Sequence, residues 1–250
     1  VWHGEYRDPR LVEVYDAERV WGWEHDFFMR VLADRMAPRV LDLGCGTGQL
    51  AIRMAGDGHD VTAVDPAGPA LDAARRKPGA ARVRWIQGSF ETLPSQAFDA
   101  AFLTGHVVQH LSDQEWTGAL HALREALVTD GRLIFDGQDP AHRPWEGWGR
   151  EATERGIVLD DGSLVLAWTE RAKPEGDVVP VVHHYLFEDG VELTSTAALR
   201  FRDEDELRDA LRAAGFRVDQ VYGGWGREPP GLGHDGELIV IAVAEPRMVR

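Results

Sequence analysis

The chain has 250 residues, 44% of them apolar, with 27 Lys plus Arg against 42 Asp plus Glu, for a formal net charge of −15. That is enough apolar content for one large domain or two small ones, which excludes disordered and fibrous classes, and an acidic chain without a Lys/Arg cluster opposes tight binding to a phosphate backbone. With no apolar run of bilayer length, no basic-then-apolar start and the single cysteine Cys45, the chain reads as a soluble cytoplasmic protein without a nucleic-acid or membrane partner.

Residues 1–37 read as a helical leader or lid. Trp2, Trp21, Trp23, Phe27 and Phe28 crowd it, and most of these fit helix-spaced packing on a sheet. β-branched apolar runs then alternate with helical patterns, the signature of crossover units and a mostly parallel sheet. The expected strands are 39–43, 60–65, 83–87, 98–104 and 132–136, and the helices 49–56, 69–77 and 113–127, the last opened by the cap-like Ser112-Asp113-Gln114-Glu115. From 140 to 201 the texture changes. Asp161-Gly162 and Asp189-Gly190 punctuate runs of Val, Leu, Thr and Tyr, which predicts antiparallel hairpins with no helix between them. A helix over 203–214 and strands over 218–222 and 238–243 then resume the α/β pattern, so 38–139 and 202–250 form one core interrupted by an inserted antiparallel β cap.

One segment carries most of the chemistry. Val40-Leu41-Asp42-Leu43-Gly44-Cys45-Gly46-Thr47-Gly48 runs a strand into a glycine turn and then a helix. Glycines at alternate positions let the backbone turn sharply and let a ligand come close. A dinucleotide fingerprint needs Gly-x-Gly-x-x-Gly, but position 49 is Gln and the third glycine comes one residue early, which weakens a nicotinamide reading. Asp65, at the end of the second strand, can accept two hydrogen bonds from a ribose diol.

With Asp42, Gly44, Gly46 and Gly48 at each fixed position of acidic-x-Gly-x-Gly-x-Gly, the segment resembles motif I of the class I S-adenosylmethionine-dependent methyltransferases. Two later segments fit the same family: Thr104-Gly105-His106, leading into His110-Leu111-Ser112-Asp113, and the helix-end junction Leu127 to Leu133. Gly88-Ser89-Phe90 departs from it, having no acidic residue after the third strand. The resemblance implies a Rossmann-like, seven-stranded, mostly parallel sheet with helices on both faces. It also implies S-adenosylmethionine as cofactor, S-adenosylhomocysteine as product, and methyl transfer to O, N or C of a small organic acceptor.

By the same resemblance, Asp42, Gly44, Cys45, Gly46 and Gly48 form the cofactor turn and Asp65 takes the ribose. Pro66, Ser89 and Phe90 flank the adenine, Thr104, Gly105 and His106 lie beside the methionine half, and Tyr15 is a further contact. Such transfer needs alignment above all, and a base where the acceptor carries a proton. His106, at the carboxyl edge of the sheet, leads the candidates, followed by His110 and His183; His183 and His184 alternate on a strand, so one at most faces a given pocket. A leader and an inserted sheet that cover the acceptor bring in Trp21, Trp145, Tyr185 and Arg200. No metal site is expected, since ligand spacing is missing. A noncatalytic S-adenosylmethionine-binding protein and a nicotinamide oxidoreductase are the alternatives. Oligomeric state is silent.

Overall fold

The computed structural model describes residues 4–34, 36–233 and 236–246, so Trp2 lies outside the described residues. Helix α1 (Pro9–Glu18) starts at Asp8, whose side chain accepts the Arg10 N–H, with Pro9 filling the first turn where no donor is needed. After it come α2 (Trp23–Ala33), β1 (Arg39–Leu43), α3 (Gln49–Gly56), β2 (Asp60–Asp65), α4 (Gly68–Arg76), β3 (Val83–Gln87), β4 (Phe98–Leu103), α5 (Asp113–Ala126) and β5 (Leu127–Gln138). Ser112 and Glu115 close the reciprocal cap expected at the start of α5. β5 begins earlier than the expected 132–136. The helix-end junction expected over Leu127 to Leu133 lies inside the strand, as an irregularity with Asp130 at φ +63 and the register with β4 shifting between Phe98 and Ala100.

A short α6 (Arg150–Thr153), absent from the sequence expectation, precedes β6 (Arg155–Val158), β7 (Leu164–Arg171), β8 (Val178–Phe187) and β9 (Glu192–Arg200). Then come α7 (Glu204–Ala213), β10 (Phe216–Tyr222) and β11 (Glu237–Ala244). The large sheet runs in the order β10-β11-β5-β4-β1-β2-β3, with β11 antiparallel to both neighbours and β1 to β5 mutually parallel. This is the Rossmann-like architecture that the glycine turn implied, with a separate antiparallel sheet, β6-β7-β8-β9.

Burial on both faces explains why the parallel strands read as continuous apolar runs. Leu41, Leu43, Leu103, Leu133 and Phe135 meet Trp116, Leu120 and Leu123 of α5 and Leu207 and Leu211 of α7. On the other face Val40, Val61, Phe102 and Ile134 meet Phe27, Phe28 and Val31 of α2 and Leu50 and Met54 of α3. The leader aromatics Phe27 and Phe28 are therefore core, whereas Trp23 is 78% exposed.

Chain order carries β1 outward to β2 and β3 and returns to β4 on the other side of β1. Loops leaving the carboxyl ends of β1 and β4 thus diverge over a crevice, where open α/β sheets take their ligands. The antiparallel sheet buries one face. At one end Leu11 and Val14 of α1 pack on Ile157, Val165, Ala167, Tyr185 and Phe187; at the other Trp145 packs with Val179, Val181, Leu199 and Phe201.

Candidate functional site

The crevice between β1 and β4 holds a cavity of about 320 Å³. Its floor is Leu43, Gly44 and Gly46 from the β1 turn and Leu103, Thr104 and Gly105 from the end of β4; Asp65, Pro66 and Ala67 form one wall, and Ser89 and Phe90 another. Tyr6 and Tyr15 roof it, their rings edge to face at 5.1 Å, and Val107, His110, Leu111 and Glu115 close the remaining side. A smaller space of about 60 Å³ continues past Tyr15, Gly44, Thr104 and Gly105 to Asp42, Cys45, Thr47, Gly48, Arg19 and His25.

Two glycines of the turn have different reasons. Gly46 has φ +53, and a Cβ there would point at the Tyr15 hydroxyl, 3.7 Å away, into the space between turn and roof. Gly48 has φ +76, and its Cβ would stand 2.3 Å from the Trp85 ring, so this glycine serves packing between turn and sheet. Asp65 explains how the turn is held: one carboxylate oxygen accepts the Gly46 N–H and the other the Ala67 N–H, both at 2.8 Å. Each oxygen keeps a second lone pair for a ligand. Burial pushes the Asp65 carboxyl up, and the two N–H bonds oppose that.

Asp42 is 2% exposed, and no described group hydrogen-bonds its carboxylate. Burial, with the nearby Asp65 charge, pushes it up to about 7. Arg19 lines the same small space, its guanidinium 5.4 Å from the Tyr15 ring centroid, and it makes no ion pair among the described residues. A lone carboxylate and a lone guanidinium thus flank a cleft next to the glycine turn.

The expected histidines separate. His110 lines the large cavity. His106 does not: its ring turns toward Glu237 and Asp136, with Nε2 at 3.1 and 3.2 Å from the two Glu237 oxygens and 3.4 Å from Asp136 Oδ2. His106, Asp136 and Glu237 are the one set of His, Cys or carboxylate side chains among the described residues whose three donor atoms come within 4.8 Å of one another. His183 lies on the buried face of β8 with Nδ1 on Thr169 Oγ1 at 2.9 Å, while His184, on the opposite face, stacks on Trp168 at 4.7 Å.

The expected acceptor contacts lie elsewhere, each satisfied by its own neighbours. Trp21 donates to Asp26 at 2.7 Å and stacks on His25. Trp145 packs on Phe201, with ring centroids 4.5 Å apart, and Tyr185 packs under α1 and donates to Glu5. Arg200 is engaged by Asp113, Asp177 and Glu206.

Arg19, Tyr6, Asp136 and Glu237 escaped the sequence reading. Asp136 and Glu237 carried a usable signal: one closes an expected strand and the other immediately precedes the final strand, so an antiparallel pair brings both to the same edge. Arg19 and Tyr6 carried none, since only tertiary packing brings the leader over the turn.

Residues 40–131 match the family model described as a methyltransferase domain. An uncharacterized methyltransferase from Geobacillus sp. (strain WCH70) is 30% identical over 168 residues, covering 64% of this chain and 76% of that protein. The chain belongs to the methyltransferases. This methyltransferase is also 28% identical over 193 residues to the cypemycin N-terminal methyltransferase of Streptomyces sp., covering 76% of this chain and 77% of that one. Its fold is that of an amino pentose methyltransferase from Micromonospora echinaspora solved with S-adenosylmethionine bound, at TM-score 0.68 and 24% identity, over 92% of this chain and 94% of the other. Family, fold and glycine turn together make S-adenosylmethionine the methyl donor of this enzyme.

Proposed function

We propose that this methyltransferase alkylates a small organic acceptor held at the carboxyl edge of the large sheet, beside the turns after β1 and β4. The observation that carries this reading is one cavity uniting Gly44, Gly46, Asp65, Pro66, Ser89, Phe90, Thr104 and Gly105. The residues present fit the cofactor at both ends. The buried Asp42 carboxylate without a partner suits an ammonium, and Arg19 across the same cleft suits a carboxylate, as the two termini of an amino acid require. Asp65 suits a ribose diol, and Pro66 and Phe90 suit the faces of an adenine.

When bound, S-adenosylmethionine supplies an already activated methyl group on its sulfonium. The chain's task is alignment and exclusion of water, worth about 7 to 11 kcal/mol where geometry is good. Tyr6 and Tyr15 close the roof and the turn after β4 fixes the floor. Residues 140–201, with the leader, act as cap. The amino pentose acceptor in the name of the solved structure above supports a small acceptor here. No helix of the described residues is long and apolar enough to cross a membrane, and we place the enzyme in the cytoplasm.

The test is incubation with methyl-labelled cofactor and a metabolite panel. The expected result is S-adenosylhomocysteine together with an acceptor heavier by one methylene. Tight cofactor binding with no turnover on any small molecule would return the noncatalytic alternative.

A further inference from the structure

His106, Asp136 and Glu237 come from three elements: the turn after β4, the end of β5 and the first residue of β11. Because β11 runs antiparallel to β5, Glu237 pairs with Gln138 and so stands at the edge where β4 and β5 end. Asp136 accepts the backbone N–H groups of Gly105 and His106, each at 2.9 Å, and so holds a turn in which His106 sits at φ +61, a conformation that a non-glycine residue adopts at a cost. The Asp136 and Glu237 side chains are 2% and 8% exposed, the imidazole 29%. A carboxylate only accepts, so the Nε2 that faces both of them carries a proton. That leaves Nδ1, to which no described residue hydrogen-bonds, as the ring's basic nitrogen.

We propose that Glu237 is a positioning residue that holds His106 as the Nε2-protonated imidazole and frees Nδ1 to take the acceptor's proton, so that the acceptor atom is an N–H nitrogen or an O–H oxygen. This rests on the methyl-transfer reading above and narrows its acceptor. The Nδ1 lone pair takes the proton, and the electron pair of the broken N–H or O–H bond stays on the heteroatom and forms its bond to the methyl carbon. The carbon–sulfur bond breaks with its pair left on sulfur, turning sulfonium into thioether. The imidazolium keeps its Nε2 proton toward Glu237 and later releases the Nδ1 proton to solvent.

The charged groups around this ring are Asp136 on β5, Glu237 on β11 and Arg19 just past α1. Burial opposes charge on the imidazole, yet the Glu237 hydrogen bond and the Asp136 and Glu237 charges outweigh burial and Arg19, and hold its pKa above the ordinary histidine value. Below that pKa Nδ1 is occupied by a proton. Turnover therefore rises with pH along a limb placed above about 6.5.

The test uses the full chain labelled with 15N-histidine, with His106→Asn to assign the ring signals. The Nε2–H tautomer is expected above the pKa, and Glu237→Gln is expected to lower that pKa by about one unit. With any acceptor methylated in the panel, the acid limb moves down by the same amount in Glu237→Gln, moves part of the way back in Glu237→Asp, and vanishes in His106→Asn, with cofactor affinity retained throughout. An Nδ1–H tautomer overturns the proposal, as does an unchanged His106 pKa in a folded Glu237→Gln variant. A pKa that falls while the limb stays in place also overturns it and leaves the pair purely structural. Absence of S-adenosylhomocysteine with every acceptor counts against the methyl-transfer reading alone, because the tautomer and pKa are read without an acceptor.

Discussion

The candidate site residues on the two sheets of this enzyme differ in how far their polar atoms are engaged. At the carboxyl edge of the large sheet the buried Asp42 has no hydrogen-bond partner among the described residues, and each Asp65 oxygen keeps a spare lone pair. In the antiparallel sheet His183 is taken by Thr169, His184 by Glu192 and Trp168, Tyr185 by Glu5 and Arg200 by three carboxylates. A parallel sheet sends its strand ends into one crevice, where backbone and side chains can be left incomplete at modest cost because a ligand completes them. Antiparallel neighbours complete each other through cross-strand pairs. Open polar groups gather at the crevice, although among the described residues the buried Ser195 hydroxyl of β9 and the Trp116 indole N–H of α5 also lack a hydrogen-bond partner.

Substitutions at the two sheets should diverge. Gly46→Val sets a branched side chain at φ +53 beneath Tyr15, and is expected to abolish methyl transfer and reduce cofactor binding below detection; retained affinity by calorimetry would remove the turn from the site. Phe187→Ala, in the antiparallel sheet under α1, is expected to cost about 3 to 5 kcal/mol of stability, read by urea unfolding. Its cofactor affinity should weaken only as far as the roof loosens.

Asp65→Asn keeps the shape but loses the charge that binds two backbone N–H groups. A charge-assisted hydrogen bond is worth roughly 1.5 to 3 kcal/mol, so cofactor affinity should fall about tenfold or more, accompanied by a lower melting temperature because the same group holds the turn. Affinity loss without any change in melting would mean that Asp65 serves the ligand alone. Arg200→Ala should cost no more than about 1 kcal/mol, the scale of partly exposed ion pairs, and leave the acceptor KM unchanged. A raised KM would return Arg200 to the acceptor site.

The smallest effect is the pH dependence of stability. Asp42 and Asp136 titrate near 7 and 6 in the folded protein, both raised first by burial from an ordinary value near 3.8. Between about pH 4 and 7 the folded state binds more protons at these two positions than the unfolded state does. Their contribution is thus most favourable below pH 4 and is lost as pH rises through 6 and 7. In cofactor-free protein the loss should be visible as a smaller melting temperature rise on acidification from pH 8 to 5.5 in Asp42→Asn than in the wild type.

Local physics made much of the core legible. The strands 39–43, 60–65 and 83–87 match their observed bounds: the first two are buried apolar runs ended by turns, and the third is an edge strand whose Val83, Trp85 and Ile86 carry the β-forming pattern. Asp42, Gly44, Gly46, Asp65 and the turn after β4 meet at one crevice because their spacing is fixed by the strand ends that carry them. The roof was only partly readable. Tyr15 was named but Tyr6 and Arg19 were not, because their place depends on α1 docking to a sheet far along the chain. The start of β5 at Leu127 rather than Arg132 was not legible, since an irregularity inside a strand and a junction before one share the same residues.

The docking of α1 has a consequence for how the protein is made. Arg10 pairs with Asp189 at 3.0 Å, and Leu11 and Val14 find their apolar partners between residues 157 and 187. A chain emerging from the ribosome has synthesised the whole glycine turn, Asp65, the β4 turn and Lys77, which pairs with Asp16 of α1 at 2.7 Å, before the antiparallel half of the surface that seats α1 exists. The closure spans 179 positions and is among the entropically costliest contacts in the molecule. The floor of the cavity is thus synthesised early and the full seat of its roof late. Cofactor that favours the closed form then draws the leader home by mass action.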